Sequence, residues 1–431
     1  MSGLGQDERF APFAGLAFAA PAAIAAVQDR LLREHLDYLA ARSPYYRSRF
    51  DASGVDPREI RSVADLARLP LTGKEDLQAR NAELRCVPEV EVVDRCLTSG
   101  TTGRPLVLDQ TRADLERLAY NEAQAFVAAG LAPGDRVLVA AAIDRCFMAG
   151  MAYFLGLVRL GATAIRGGSA SIPALVELVR EQRPTALVGV PSLLLALGER
   201  LAESGLAADR LGVARLIGIG EPVRQADLEL SALGERLAGL WGAQVLGTYA
   251  STEMATAFAD CACGRGGHLQ PELMVVEILD AAGSPVPPGQ AGEVVVTPLQ
   301  VTGMPLLRYR TGDIAVLHDR PCGCGRNTPR LGPVLGRKAQ MLKYRGTTVF
   351  PPAIAAALQE IDGVNAFYIE AFDDFPLSDR IRVVVAVSRA GLSGEAIAEQ
   401  VAARIRVKPE VVISSAAAVQ QQILRPEQRK P

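Results

Sequence analysis

Between about residues 95 and 300, short β-rich runs alternate with stretches of helical periodicity. The runs fall at 136–143, 185–190, 216–220 and 244–247, and the helical stretches fall near 112–129, 147–160, 172–182, 192–203 and 224–239. Parallel strands cannot be joined by a tight hairpin and need a crossover, usually a helix. The alternation therefore predicts an α/β unit built on a parallel sheet.

After Ala250 the pattern changes. Segments 274–279, 292–298 and 306–317 read as strands joined by Gly/Pro turns, which predicts an antiparallel β-rich subdomain over about 255–335. Beyond Gly336, strands near 365–371 and 380–388, a helix near 394–405 and a strand near 410–415 predict a small α+β domain of the split β-α-β kind. The expected organisation is a large N-terminal domain, 1–336, and a small mobile C-terminal domain, 337–431. Near the N-terminus, Leu31, Leu32, Leu36, Tyr38 and Leu39 recur at helical spacing, and Ser43-Pro44 ends that helix. The phrase at 68–76 reads as a loop into a helix capped by Thr72.

Charge and cysteine usage narrow the function. Lys and Arg total 46 against 48 Asp and Glu, a formal net charge of −2. That balance offers neither the basic footprint of a nucleic-acid binder nor a cationic face for anionic lipid. The one long uncharged run, 10–28, is Ala-rich, broken by Pro12 and Pro21, and preceded by Asp7 and Glu8 with only Arg9 to offset them. A secretory signal would open with basic residues, and a membrane span would be more apolar. The run reads as a helix of a soluble, cytoplasmic protein. Seven cysteines, an odd number, do not make a disulfide framework. Four of them form two C-x-C pairs, which suit metal in a reducing compartment. Cys86, Cys96 and Cys146 read as small buried hydrophobes, and His35 and His318 lie outside any motif.

The segment Thr98-Ser99-Gly100-Thr101-Thr102-Gly103-Arg104-Pro105 carries chemistry. Glycines let backbone N–H groups converge on a phosphate, and the hydroxyls of Thr98, Ser99, Thr101 and Thr102 add donors. The Walker pattern is absent, and alone the segment could be an ordinary polar turn. It is followed by Gly220-Glu221-Pro222, Thr248-Tyr249-Ala250-Ser251-Thr252-Glu253, an Arg-Tyr-Arg-Thr-Gly-Asp run at 308–313, Gly336-Arg337, and Arg-Gly-Thr-Thr-Val-Phe-Pro at 345–351. In this order and approximate spacing the motifs resemble those of adenylate-forming enzymes. With Ser-Pro-Tyr-Tyr-Arg at 43–47 and Leu-Pro-Leu-Thr-Gly-Lys at 69–74, the chain is most similar to the phenylacetate–CoA ligase branch, over essentially its whole length.

The resemblance implies a two-step reaction. A carboxylate attacks the α-phosphate of ATP to give an acyl-adenylate and pyrophosphate, and a thiol, usually CoA, then displaces AMP. It also implies roles. The loop 98–104 holds the β- and γ-phosphates, Glu253 binds Mg2+, and Thr252 hydrogen-bonds the α-phosphate. Gly220, Glu221, Pro222, Tyr249, Ala250 and Ser251 frame the adenine and the acyl group. Asp313 accepts the ribose hydroxyls, and Arg337 marks the hinge. Read without the motif, Glu253 would be an acid at a helix N-terminus capped by Ser251. The family's late lysine, which meets the carboxylate during adenylation, corresponds to Arg429 without a gap and to Lys430 with one residue of slip; Lys430 is preferred for its compact charge. Two departures stand out: Ala339-Gln340 replaces the usual acidic pair after the hinge, and Ala250 takes the place of a usual glycine.

Some relatives in this branch carry a Cys, a His seven residues later, and a distant C-x-C. Cys261, His268, Cys322 and Cys324 fit that set, with Cys263 able to replace His268, and imply a closed structural Zn2+ site. The implied substrate is a small aryl carboxylic acid, of benzoate, anthranilate, hydroxybenzoate or phenylacetate type. Its pocket would be drawn from 120–126, 145–151, 167–171, 190–192 and 218–222. The acceptor is CoA, or alternatively an acyl carrier protein or an amine; a non-catalytic, zinc-stabilised nucleotide-binding protein is the reading from another class. Oligomeric state is open, a homodimer included.

Overall fold

The computed structural model describes residues 9–98, 106–340, 342–344, 347–371, 381–389, 391–405 and 407–423. The chain divides into two compact units: one of 1–230, 234–311 and 316–333, the other of 231–233, 312–315 and 334–431.

In the first unit, five strands run parallel in the order Thr163–Arg166, Arg136–Ala140, Ala186–Gly189, Arg215–Gly218 and Gln244–Ser251. The helices Met148–Leu160, Ile172–Gln182, Pro191–Glu203 and Ala232–Trp241 make the crossovers. All four residues of Ala186–Gly189 are buried, as a central strand covered on both faces requires. Val137, Val139, Val188, Ile217 and Leu246 from the sheet pack with Phe126, Tyr153 and Leu157 from the helices. At Ser251 the sheet changes sense. Thr256–Asp260 folds back antiparallel on Gln244–Ser251, and Gly267–His268, Arg330–Leu331, Tyr309–His318, Ala291–Pro298 and Met274–Leu279 continue it. The α/β class and the β-rich stretch after Ala250 are thus as the sequence predicts. A separate ribbon pairs Val92–Leu97 with Val107–Thr111 antiparallel, Leu97 opposite Val107.

In the second unit, Val364–Ala371, Ile381–Val387 and Glu410–Ser414 form a three-stranded sheet. One face, with Val383 and Val385, packs on Ile354, Leu358, Ile397 and Val401. The other, with Val384 and Ala386, packs on Val419. The central strand is covered on both faces, which explains its apolar run after Arg382, residues 383–387.

Several local expectations are corrected. Helix formation at the N-terminus begins at Pro21, whose fixed φ suits the first helical turn, after 3-10 turns at Ala11–Phe13 and Leu16–Phe18. Thr72 is not a cap: Gly73 precedes the helix Lys74–Ala79 and donates its N–H to Asp76, while buried Thr72 donates to the Leu307 carbonyl. The helix expected from 224 starts at Ala232, because Arg224 and Leu230 pair in a β-bridge and the Arg224 guanidinium is held by Asp260. Cys146 is exposed at φ 57°, whereas Cys86 and Cys96 are buried. No helix among the described residues is long and apolar enough to cross a membrane.

Candidate active site and metal cluster

The ribbon Val92–Leu97/Val107–Thr111 flanks the glycine-rich segment in sequence. Its neck is closed by Thr98 N–H donating to the Leu106 carbonyl at 3.0 Å, and by Leu106 N–H donating back to Thr98 Oγ1 at 3.2 Å. The hydroxyl oxygen of Thr98 is thus engaged in fixing the neck. Ser99, Gly100, Thr101, Thr102 and Gly103, with Arg104, lie outside the described residues, as do Lys430 and Arg429.

The strand leaving this segment faces Thr252 and Glu253 across one cavity, whose walls include Leu108, Gln110, Asp114 and Met304. Thr252 and Glu253 occupy the turn between two antiparallel strands, with Ser251 Oγ accepting from Met254 N–H at 3.3 Å. No helix starts here, so Glu253 is not placed by a helix dipole. Its carboxylate is half-buried and accepts from the Tyr309 hydroxyl at 3.4 Å, too long to satisfy it. Such a carboxylate suits a hard cation.

Two buried groups that the motif reading missed hold this geometry. Asp114 accepts from Thr111 N–H, Thr302 N–H and Gly303 N–H, clamping the helix Arg112–Ala128 to the loop after Ala291–Pro298. Arg117, 1% exposed, donates to the carbonyls of Ala255, Leu273 and Leu299 and to Thr256 Oγ1, anchoring the turn that presents Glu253. The T-x-x-D capping box at Thr111–Asp114 was a visible signal for the first; nothing local marks the second.

At the C-terminal edge of the parallel strands, Gly220 adopts φ 75°, a conformation glycine takes at little cost. Glu221 accepts from both the backbone N–H and the hydroxyl of Ser192 at 2.9 Å, tying 220–222 to the start of the helix Pro191–Glu203. That leaves backbone rather than the Glu221 carboxylate to face a ligand. Tyr249 packs on Phe258 with centroids 5.9 Å apart, and Ala250 is exposed. Ligands of open α/β sheets bind along this edge.

Within the second unit, Asp313 and Arg337 are register partners, and Arg337 Nε donates to Asp313 Oδ1 at 3.0 Å. Asp313 is buried and Arg337 exposed.

The ligand atoms of Cys261, His268, Cys322 and Cys324 all lie within 4.8 Å of one another. Cys261 Sγ is 3.6 Å from Cys322 Sγ, and Cys324 Sγ is 3.4 Å from His268 Nε2. Thr328 Oγ1 lies 3.0 Å from His268 Nδ1, which fixes the ring and leaves Nε2 facing the sulfurs. Burial, reinforced by Arg326 and Arg330, lowers the imidazole to about 4, so it is neutral at physiological pH. Cys263 is exposed and outside the four. Three sulfurs and one imidazole nitrogen are a donor set that fits tetrahedral zinc.

A family model for AMP-binding enzymes matches residues 51–304. Phenylacetate-coenzyme A ligase of Thermus thermophilus is 33% identical over 348 residues, covering 80% of this chain and 77% of the relative. The enzyme of that name from Escherichia coli is 31% identical, covering 80% and 78%. A crystal structure of 2-hydroxyisobutyryl-CoA ligase in the postadenylation state, in complex with R3-HIB-AMP, superposes with a TM-score of 0.83 at 26% identity, covering 95% of this chain and 88% of that one. The chain therefore belongs to the AMP-binding enzymes, in the phenylacetate–CoA ligase family, and is an AMP-forming acid–CoA ligase using ATP and CoA.

Proposed function

We propose that the acid is a small aryl carboxylate, activated as its adenylate in a site that includes the strand Val107–Thr111 and the Thr252–Glu253 turn. The observation that carries this reading is that one cavity is walled both by the strand leaving the glycine-rich segment and by Thr252 and Glu253. As pyrophosphate leaves, negative charge builds on the phosphate oxygens and must be met by donors and cations. The 98–104 segment supplies donors to the β- and γ-phosphates, Thr252 donates to the α-phosphate, and Glu253 holds Mg2+. Asp313 accepts the ribose hydroxyls, and Lys430 brings the attacking carboxylate to the α-phosphate. The aryl class rests on the phenylacetate named for the relatives above.

Cys261, His268, Cys322 and Cys324 hold a structural zinc. With four protein ligands the site is closed, so it pins the antiparallel strands and does no chemistry. The test is ATP–pyrophosphate exchange over a panel of aryl and aliphatic acids, followed by addition of CoA. Acid-dependent exchange with aryl acids and acyl-CoA formation are expected. Exchange with aliphatic acids alone would overturn the substrate class, and exchange without acyl-CoA would move the acceptor to a carrier thiol or an amine.

A further inference from the structure

The loop 322–328 has two sides. Cys322 and Cys324 contribute sulfurs to the metal cluster, and Thr328 Oγ1 lies against the imidazole of His268. The residues between Cys324 and Thr328 hold the N-terminal region. Asn327 N–H donates to the Ala17 carbonyl at 2.8 Å, and Asn327 Nδ2 donates to the carbonyls of Phe18 and Ala19 at 3.2 and 3.0 Å. The Arg326 guanidinium lies 4.8 Å from the centre of the Phe18 ring, and Gly325 sits beneath the same ring. The 3-10 turn Leu16–Phe18 is thus docked on a loop that carries two of the four candidate metal ligands.

Neither side of this contact is held firmly by other means. Among the described residues, 319–329 form no helix or strand, and the one backbone–backbone hydrogen bond closing within 322–328 is Gly325 N–H to the Cys322 carbonyl at 3.1 Å. A loop with so little internal structure takes its shape from the ion its side chains bind. On the other side, Phe18 is 49% exposed, so no core fixes its ring. The chain before it is anchored elsewhere: Phe10 is buried and stacks on Tyr120 at 4.3 Å, and Arg9 donates to the carbonyls of Ala113 and Gln300. Gly15, at φ 76° with open space around it, separates that anchor from the docked turn. After the turn, the helix Pro21–Arg42 starts from Ala20 without a side-chain cap.

We propose that residues 16–19 form a metal-dependent strap, docked while the cluster holds its ion and released between Gly15 and Pro21 when the ion is lost. This rests on the zinc reading above. The released stretch, with Leu16 and Phe18, is a short apolar segment open to proteolysis, so the state of the cluster is reported at the surface of the first unit. Docking and metal binding are linked, and linkage is reciprocal: a change that loosens the strap weakens the metal by the same factor.

The test uses the full chain, zinc-loaded and after zinc removal by a chelator, with metal content checked by elemental analysis. The amides of Phe18 and Ala19 close the turn. Hydrogen exchange of peptides covering 14–20 should quicken by about 5-fold or more without zinc. Peptides covering the buried strand Ala186–Gly189 should keep their protection. Asn327→Ala and Phe18→Ala, neither of them a ligand, should still bind one zinc and show the fast exchange with zinc present. Chelator competition should find their zinc affinity lowered by the same factor. Fluorescence of the buried Trp241 checks that each variant is folded. Two results would overturn the strap: equal protection of 14–20 with and without zinc, or folded variants that leave either strap protection or zinc affinity unchanged. Both leave the zinc reading standing, whereas a chain that binds no zinc removes that reading and the strap together. Where the zinc-free chain unfolds throughout, the variants, measured with zinc bound, decide the matter.

Discussion

Replacing Glu122 by Gln should change how stability depends on pH. Burial raises this carboxyl from 4.5 to about 7, with the Asn121 hydrogen bond opposing. Between those values the folded protein holds a proton that the unfolded chain has released. Stability therefore falls as pH rises through the window, and the total is about 3 kcal/mol at 1.36 kcal/mol per pKa unit. Gln does not titrate, so the unfolding free energy of the variant minus that of wild type should climb by about 3 kcal/mol from pH 4.5 to pH 8. The difference is needed because His35 works the other way. Burial lowers His35 from 6.5 to about 4, so its neutral form favours folding increasingly as pH rises across nearly the same range. The wild-type profile alone would partly cancel the two. Urea unfolding at stepped pH, followed by Trp241 fluorescence, reports on the first unit, where Trp241 is fully buried. A difference that stays flat with pH, or that shrinks, would refute the claim that Glu122 is buried with a single amide partner.

Elemental analysis should find one zinc per chain, and Cys322→Ser should lose it and lower the melting temperature of the first unit. Lys430→Ala should cut adenylation by about 100-fold or more while sparing thioester formation from supplied acyl-adenylate, measured as separate half-reactions. Asp313→Ala should raise KM for ATP by about 10- to 100-fold, from loss of two charge-assisted hydrogen bonds to the ribose, with thermal stability little changed. Gly156→Ala should destabilise the first unit by ~1–3 kcal/mol in urea titrations, because the new methyl meets the Glu122 Cβ and backbone.

The layer architecture was legible because it is written in short-range periodicity. The crossover helix Ile172–Gln182 and the strand Met274–Leu279 fall where their patterns place them. The boundaries that failed did so for tertiary reasons. Segment 224–231 looks helical, but Arg224 is drawn to Asp260, 36 residues on, and a β-bridge forms instead. Thr72 has the chemistry of a cap and is taken instead by a carbonyl 235 residues away. The set Cys261, His268, Cys322 and Cys324 came from the family resemblance, and the sequence left His268 and Cys263 as alternatives; the strand Gly267–His268 carries the imidazole inward to the sulfurs. Glu122 was unreadable as a buried group, because a glutamate in a helix is usually solvated, and its burial depends on Gly156, 34 residues later.

The Asp313–Arg337 pair has a consequence for nucleotide exchange. In the role proposed for Asp313, the ribose diol has to displace this guanidinium from a carboxylate oxygen. Arg337 is 55% exposed but the Asp313 side chain only 8%, so the buried carboxylate gives up its cation cheaply only as other donors replace it. Arrival of the sugar would then release a mobile cation next to Lys338, free to seek a phosphate oxygen. A single swap of partners would thus signal to the residues that follow Arg337 that the nucleotide has landed.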